Sequence, residues 1–239
     1  MINICMVKYG TKVQGFEINK LIKEFLTPIV ENVKEDFKIH IATDNIDIDL
    51  GIDNINFIKL TKDEIKDHEH WSKIFFFNPS YINASQDDTT VVMDIDMQWQ
   101  NDPSPVITYP VEDGQLVSMD RWWKDNEMPI SGNLYKFKSY DFQFVYEQYI
   151  NNFKYIRPYY YKEGIVAYPN QGEQYFVYDS ISKRSPWFNV KLQPAEWCMK
   201  SHQTNSVKQK LYESRFRKAT GKDYHDHYFE AIWTYKAIK

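Results

Sequence analysis

The chain has 239 residues, 26% of them charged and 43% hydrophobic, with 8 Gly and 10 Pro. This excludes collagen-like, low-complexity and wholly disordered chains and leaves room for a sizeable core. The net charge is −4, with 24 Lys beside only 5 Arg, a balance that argues against nucleic-acid binding.

Residues 3–7 are a short apolar run ending at Lys8-Tyr9-Gly10 and read as a first strand; no basic segment precedes it, as a signal peptide would require. From Ile18 onward, Ile18, Leu21, Ile22, Phe25, Leu26, Ile29, Val30 and Val33 trace one face of a helix, which Pro28 should kink or split. Strands are predicted over 37–43, ending in front of Asp44, and over 56–60. Strand, helix, strand in this order predicts a parallel sheet with helical crossovers.

Residues 70–78, with Trp71, Lys73 and Phe75-Phe76-Phe77, read as a buried helix, and 89–93 as a fourth strand. The charge-free run 74–86 is too short and polar to span a bilayer. Further strands are expected at 116–119, 131–137 and 190–192, and helices at 140–153 and 172–182. Cys5 and Cys198 form neither a zinc pattern nor a disulfide framework, which points to a reducing, cytoplasmic setting. Aromatic residues make up 17% of the chain, so some are expected to line a surface or cleft. The adjacent Trp122 and Trp123, after Asp120-Arg121, cannot both point inward from an extended segment, and at least one is expected where it would stack on a sugar ring. Residues 206–239 carry 8 Lys or Arg against 4 Asp or Glu. Two helices broken at Gly221 fit this tail, either packed on the acidic body or offered to an acceptor, a partner or a membrane.

Asp94-Ile95-Asp96 puts two carboxylates on one side of an extended segment, because side chains at i and i+2 share a face. Hard oxygen ligands held this way suit Mg²⁺ or Mn²⁺. Asp47-Ile48-Asp49 repeats the pattern, so context must separate the two. The Asp47 pair lies in a polar stretch, whereas Asp94 follows Val91-Val92-Met93, and open α/β sheets bind ligands at the carboxyl ends of strands.

Taken in order, Val7-Lys8-Tyr9-Gly10, Asp44, Trp71-Ser72-Lys73, Asp94-Ile95-Asp96, Ile130-Ser131-Gly132-Asn133-Leu134-Tyr135, Gly172-Glu173-Gln174 and a late His202 resemble the nucleotide-sugar half of a GT-A fold glycosyltransferase. In motif order the chain is similar to the glycogenin-like branch, although His202 lacks the Gly and Lys-Pro-Trp residues that follow it there. The resemblance covers residues 1–205 as the catalytic domain, leaving 206–239 as a helical C-terminal extension. It implies an α/β, Rossmann-like mixed sheet flanked by helices, and a divalent metal held by Asp96 and His202, with Asp94 on the metal or ribose. It further implies that Val7, Lys8, Tyr9 and Asp44 contact base and ribose, that Lys73 and Lys200 face the diphosphate, and that Ile95 belongs to the nucleotide site. Gly132, Asn133, Glu173 and Gln174 would line the donor sugar and acceptor. The donor implied is a UDP-sugar and the acceptor a carbohydrate or other hydroxyl.

In such a transfer the bond from anomeric carbon to phosphate oxygen breaks, and a cation stabilises the charge left on the diphosphate. Glu173 is the candidate base if the anomeric centre inverts; with retention the leaving phosphate takes the proton and Glu173 positions the sugar. Each residue also has a plainer reading: an acidic helix start for Glu173, a snorkelling surface lysine for Lys73, a loop histidine for His202. Two rival classes are weighed. A haloacid dehalogenase-type phosphatase also places Asp-x-Asp after a strand, but continues with Thr or Val where this chain has Gln98. A non-catalytic carbohydrate-binding module is usually all-β, which the helix from Ile18 opposes.

Overall fold

The computed structural model describes residues 1–10, 21–95, 97–123, 128, 130–162, 172–184, 189–201, 206–228 and 230–236. Strand β1 (Ile2–Lys8) pairs in parallel with β2 (Phe37–Thr43) and β4 (Thr89–Met93), and β2 with β3 (Ile55–Lys59). Strand β7 (Leu134–Lys138) runs antiparallel to β4 and to β6 (Gln115–Met119), and β8 (Asn189–Gln193) closes the edge parallel to β6. The order is therefore β3-β2-β1-β4-β7-β6-β8. This is the mixed α/β sheet that the resemblance implies; the parallel arrangement expected from the strand-helix-strand pattern holds for β3-β2-β1-β4, and β7 breaks it.

Both faces of this sheet are covered, which is why its central strands read as continuous apolar runs. Ile4, Met6, Ile39, Ile41, Val91, Met93 and Leu134 enter one core, while Cys5, Val7, Ala42, Val92, Tyr135 and Phe137 enter the other. The alternation within each strand is the period-two rule applied to a sheet with no wet face. The aromatic surplus goes largely into these cores, with Trp71 stacked on Tyr149 and Phe77 on Phe137; Tyr155, at 80% exposure, and Tyr159 are exceptions on the surface.

The expected helix around Pro28 is split: a π-helical turn (Leu21–Leu26) gives way to α1 (Thr27–Asn32) with the proline in its first turn, where its missing N–H costs nothing. Helix α2 (Lys62–His68) opens with a Thr61–Glu64 capping box. It ends at Glu69, whose φ of +49° redirects the chain into a 3₁₀ helix (Glu69–Phe77) in which every residue from Trp71 to Phe77 is buried. The predicted helix at 70–78 is thus present in a tighter form. A short α3 (Ser104–Ile107), long α4 (Gln143–Lys162) and α5 (Gly172–Arg184) complete the body.

A second sheet was not predicted. Strand β10 (Trp233–Lys236) lies between β5 (Met97–Trp99) and β9 (Cys198–Ser201), antiparallel to the first and parallel to the second. The tail that supplies β10 also contributes α6 (Ser206–Thr220) and α7 (Tyr224–His227), and its Phe216, Tyr224 and Trp233 belong to the same core as β1 and β4.

The expectation for the tryptophan pair is overturned. Trp122 and Trp123 are only 6% and 5% exposed. They occupy a turn after β6 rather than an extended segment, so both rings go inward at 88° to each other, and Trp122 is packed by Phe216 and Tyr224 from the tail.

At the amino ends of the strands a buried polar chain crosses four strands. Asn56 Nδ2 meets His40 Nδ1 at 3.1 Å, His40 Nε2 meets Asn3 Oδ1 at 3.0 Å, and Asn3 Nδ2 donates to Asp88 Oδ2 at 3.2 Å. Burial, with Lys38 adding to it, lowers the His40 pKa to about 4. The folded state therefore holds a neutral imidazole, and its stabilising effect is present above the unfolded pKa of about 6.5 and lost as pH falls towards 4. We expect urea denaturation to show stability falling by up to roughly 3 kcal/mol across that window, with a visibly shallower slope in His40→Gln.

Candidate active site

Strand order reverses between β1 and β4, since β2 and β3 extend from one side of β1 and β4 starts the other. The carboxyl ends of strands flanking such a switch point are where open α/β sheets bind ligands. Asp94 directly follows β4, held there by its N–H donating to Asn133 O at 3.1 Å. The 3₁₀ helix delivers Lys73 to the same place. Its Nζ lies 3.1 Å from Asp94 Oδ1, 2.7 Å from Gly132 O and 3.3 Å from Glu173 Oε2. Three acceptors match the three N–H donors of an ammonium.

Glu173 and Gln174 come from the first turn of α5. Gln174 Oε1 accepts the Gly132 N–H at 2.9 Å, so both backbone polar groups of Gly132 are engaged. A side chain at Gly132 would put its Cβ 3.2 Å from Glu173 Oε2 and 3.3 Å from Lys73 Nζ, which is why glycine occupies the centre of the cluster. Ser131 is fixed in turn by Ser118, whose Oγ accepts the Ser131 N–H at 2.9 Å.

Two carboxylates share one ammonium in a space where Glu173 is 2% exposed and Asp94 about a third exposed. Burial pushes the Glu173 pKa up to about 7; Lys73 and the Tyr135 hydroxyl oppose this, and the Asp94 charge adds to it. Burial alone would lower the Lys73 pKa, but Asp94 and Glu173 outweigh it and hold the ammonium above the ordinary lysine range. The Tyr135 phenol is raised well above its usual value by burial and by Glu173. Tyr135 OH and Glu173 Oε1 are both sealed from solvent, and the hydroxyl acts directly on the Glu173 carboxylate.

Of the residues expected at a site, Lys73, Asp94, Gly132, Glu173 and Gln174 thus form one cluster, with Asn133 attached through its backbone. Asn133 also accepts from Ser131 Oγ at 3.0 Å. Val7, Lys8, Tyr9 and Asp44 form a second group at the carboxyl ends of β1 and β2: Lys8 Nζ donates to Gly10 O and the Gly10 N–H to Asp44 Oδ2. Ile95 is a core residue at 2% exposure. Lys200, on β9, lies with its Nζ over the Trp123 ring at 5.9 Å. Asp96 and His202 lie outside the described residues. The false twin at Asp47 is in irregular structure, where Asp49 accepts from the Gly51 N–H in a turn of its own. Tyr135, which acts on Glu173, was not among the residues expected at the site. It was visible only as part of the Ile130–Tyr135 segment, and nothing in the sequence marks it as a buried polar group.

No protein-family model matches the chain, and no curated protein matches it in sequence. Among solved structures, the galactosyltransferase LgtC, in complex with donor and acceptor sugar analogues, aligns with a TM-score of 0.57 at 10% identity, over 99% of this chain and 87% of its own. An active-site mutant of LgtC aligns with a TM-score of 0.54 at 10% identity, over 99% of this chain and 88% of its own. The glycosyltransferase GlyE of Streptococcus pneumoniae TIGR4 gives 0.55 at 9% identity over 83% of this chain and 47% of GlyE, so this chain spans about half of GlyE's length. The chain has the GT-A glycosyltransferase fold. In a GT-A sheet that the sequence expectation also describes, the Lys73 cluster sits at the switch point between β1 and β4.

Removing one partner of a buried ion pair leaves an uncompensated charge. Lys73→Met should cost roughly 3–5 kcal/mol in urea denaturation, and the loss should be smaller at pH 6 than at pH 8, because protonation of Glu173 relieves the exposed repulsion with Asp94.

Proposed function

We propose that this protein is a metal-dependent glycosyltransferase that moves a sugar from a nucleoside diphosphate sugar, a UDP-sugar by resemblance, to a hydroxyl acceptor. The observation that carries the reading is the cluster of Lys73, Asp94, Gly132, Glu173 and Gln174 at the carboxyl edge of a GT-A sheet. The likeness to LgtC and GlyE, both glycosyltransferases by description, supports it at the level of fold.

A divalent ion fits the donors present. Asp94 commits only Oδ1, to Lys73, and Oδ2 has no partner among the described residues while the side chain is a third exposed. Asp94 with Asp96 and His202 would hold Mn²⁺ or Mg²⁺. In the chain Asp96 precedes β5 and His202 follows β9, the two strands that flank β10. When bound, such an ion supplies positive charge against the leaving diphosphate.

The chain's own groups then have distinct tasks. Lys73 spends its N–H groups inside the protein, so it fixes Asp94 and Glu173 and adds a positive field; it reaches a phosphate only by exchanging a partner. Glu173, with its pKa near neutrality, is the base under inversion or a positioning group under retention, a role that requires substrate binding to open the sealed carboxylate. Gln174 is held by the Gly132 peptide, and its amide nitrogen is the end left for donor sugar or acceptor. Val7, Lys8, Tyr9 and Asp44 offer the neighbouring strand ends to base and ribose.

A thermal-shift series with UDP and GDP, each with and without Mn²⁺, tests this. UDP should stabilise the protein only with metal present, by about 2.7 kcal/mol at a hundredfold excess over Kd, and Asp94→Ala together with Asp96→Ala should abolish the effect. Equal stabilisation of wild type and double variant sinks the assignment.

A further inference from the structure

One side chain links the large and small sheets beside Asp94. Strands β4 and β7 pair as far as Met93 and Leu134, and the Asp94 N–H, donating to Asn133 O at 3.1 Å, adds a rung beyond that ladder. Three residues further along the chain, Met97 opens β5 in the small sheet. Asn133 Nδ2 donates to Met97 Sδ at 3.2 Å, a contact across 36 residues. Asn133 therefore holds the segment from Asp94 to Met97 at both ends, the first through its backbone and the second through its side chain. Within that segment Ile95 is buried in the same core as Met97.

The Asn133 amide is itself oriented. Its Oδ1 accepts from Ser131 Oγ at 3.0 Å, the Ser131 N–H donates to Ser118 Oγ at 2.9 Å, and Ser118 Oγ donates to Leu134 O at 3.0 Å. Ser118 and Ser131 are both buried, so water does not compete for these bonds. The position asks for a donor and an acceptor in one short planar group, which asparagine supplies and aspartate, leucine or alanine does not. Methionine suits the other end, because a thioether packs in an apolar core and still accepts weakly.

A bond to sulfur adds little strength; what it fixes is direction. The segment it anchors carries the Asp94 carboxylate, whose Oδ1 accepts from Lys73 at 3.1 Å, and in sequence Asp96. The sequence resemblance puts Asn133 among residues lining the sugar, yet its amide oxygen and amide nitrogen each bond a protein group. We propose that Asn133 is a positioning residue that bridges the end of β4 and the start of β5, and so presets the carboxylates of that segment for a divalent ion instead of touching the sugar. Groups behind metal ligands commonly govern affinity in this way. The ion rests on the transferase reading; the bridge rests on the distances alone.

The test compares the full chain as wild type, Asn133→Ala, Met97→Leu, their double variant and Ile39→Val, a core trim on β2. In metal-free protein, hydrogen exchange read by mass spectrometry should be about tenfold faster in the peptide covering residues 94–99 for Asn133→Ala and for Met97→Leu, with β1 and β2 unchanged. With UDP present, a Mn²⁺ titration read by the EPR signal of the free ion should give a dissociation constant raised about tenfold by Asn133→Ala and less by Met97→Leu. The double variant should bind Mn²⁺ no worse than Asn133→Ala, because both substitutions remove one bond. Ile39→Val should lower the Tm and leave both readouts as in wild type. Met97→Leu conserves core volume, so it answers even where Asn133→Ala fails to fold. The proposal is overturned by wild-type Mn²⁺ affinity in Asn133→Ala, by Met97→Leu matching wild type in both readouts, by additive losses in the double variant, or by an equal loss of affinity in Ile39→Val. A wild type that takes up no Mn²⁺ defeats the metal reading instead; exchange then decides the bridge, faster in both single variants upholding it and unchanged refuting it.

Discussion

One ammonium group organises the carboxyl edge of the sheet. Lys73 ties the 3₁₀ helix to the end of β4, to the Gly132 peptide and to the start of α5, segments that are otherwise separate in the chain. In an effective dielectric of about 20, a charge pair some 4 Å apart gains roughly 4 kcal/mol, and the desolvation of each ion costs several. Attraction and desolvation nearly cancel, so the cluster adds little to stability and much to geometry. It fixes where two carboxylates point and lets them coexist, with Glu173 near its titration midpoint at neutral pH.

Much of the sheet was legible. Strands β1, β2 and β4 are buried on both faces, and their apolar runs therefore stand out from the polar stretches around them. The same contrast separated Asp94 from Asp47, because only the former follows such a run. Side-chain contacts at the site were less legible: that Gln174 would grip the Gly132 peptide depends on a meeting across 42 residues, for which local pattern holds no sign. Trp122 and Trp123 were misread because the argument assumed an extended backbone where the chain turns. The basic aromatic tail was recognised by composition, but its role as cover for Trp122 rests on tertiary packing alone.

Strand β10 carries a consequence for assembly. It occupies the middle of the small sheet, with Thr234 bonded to Gln100 across 134 residues and Trp233 stacked on Trp99. As a ribosome delivers the chain from its amino end, β5 and β9 emerge without the strand that joins them, and the large sheet has every strand it needs before the small one can close. Nonlocal pairing of this kind is slow to form, so the nascent protein passes through a stage in which its large sheet can be complete while the small one is still open.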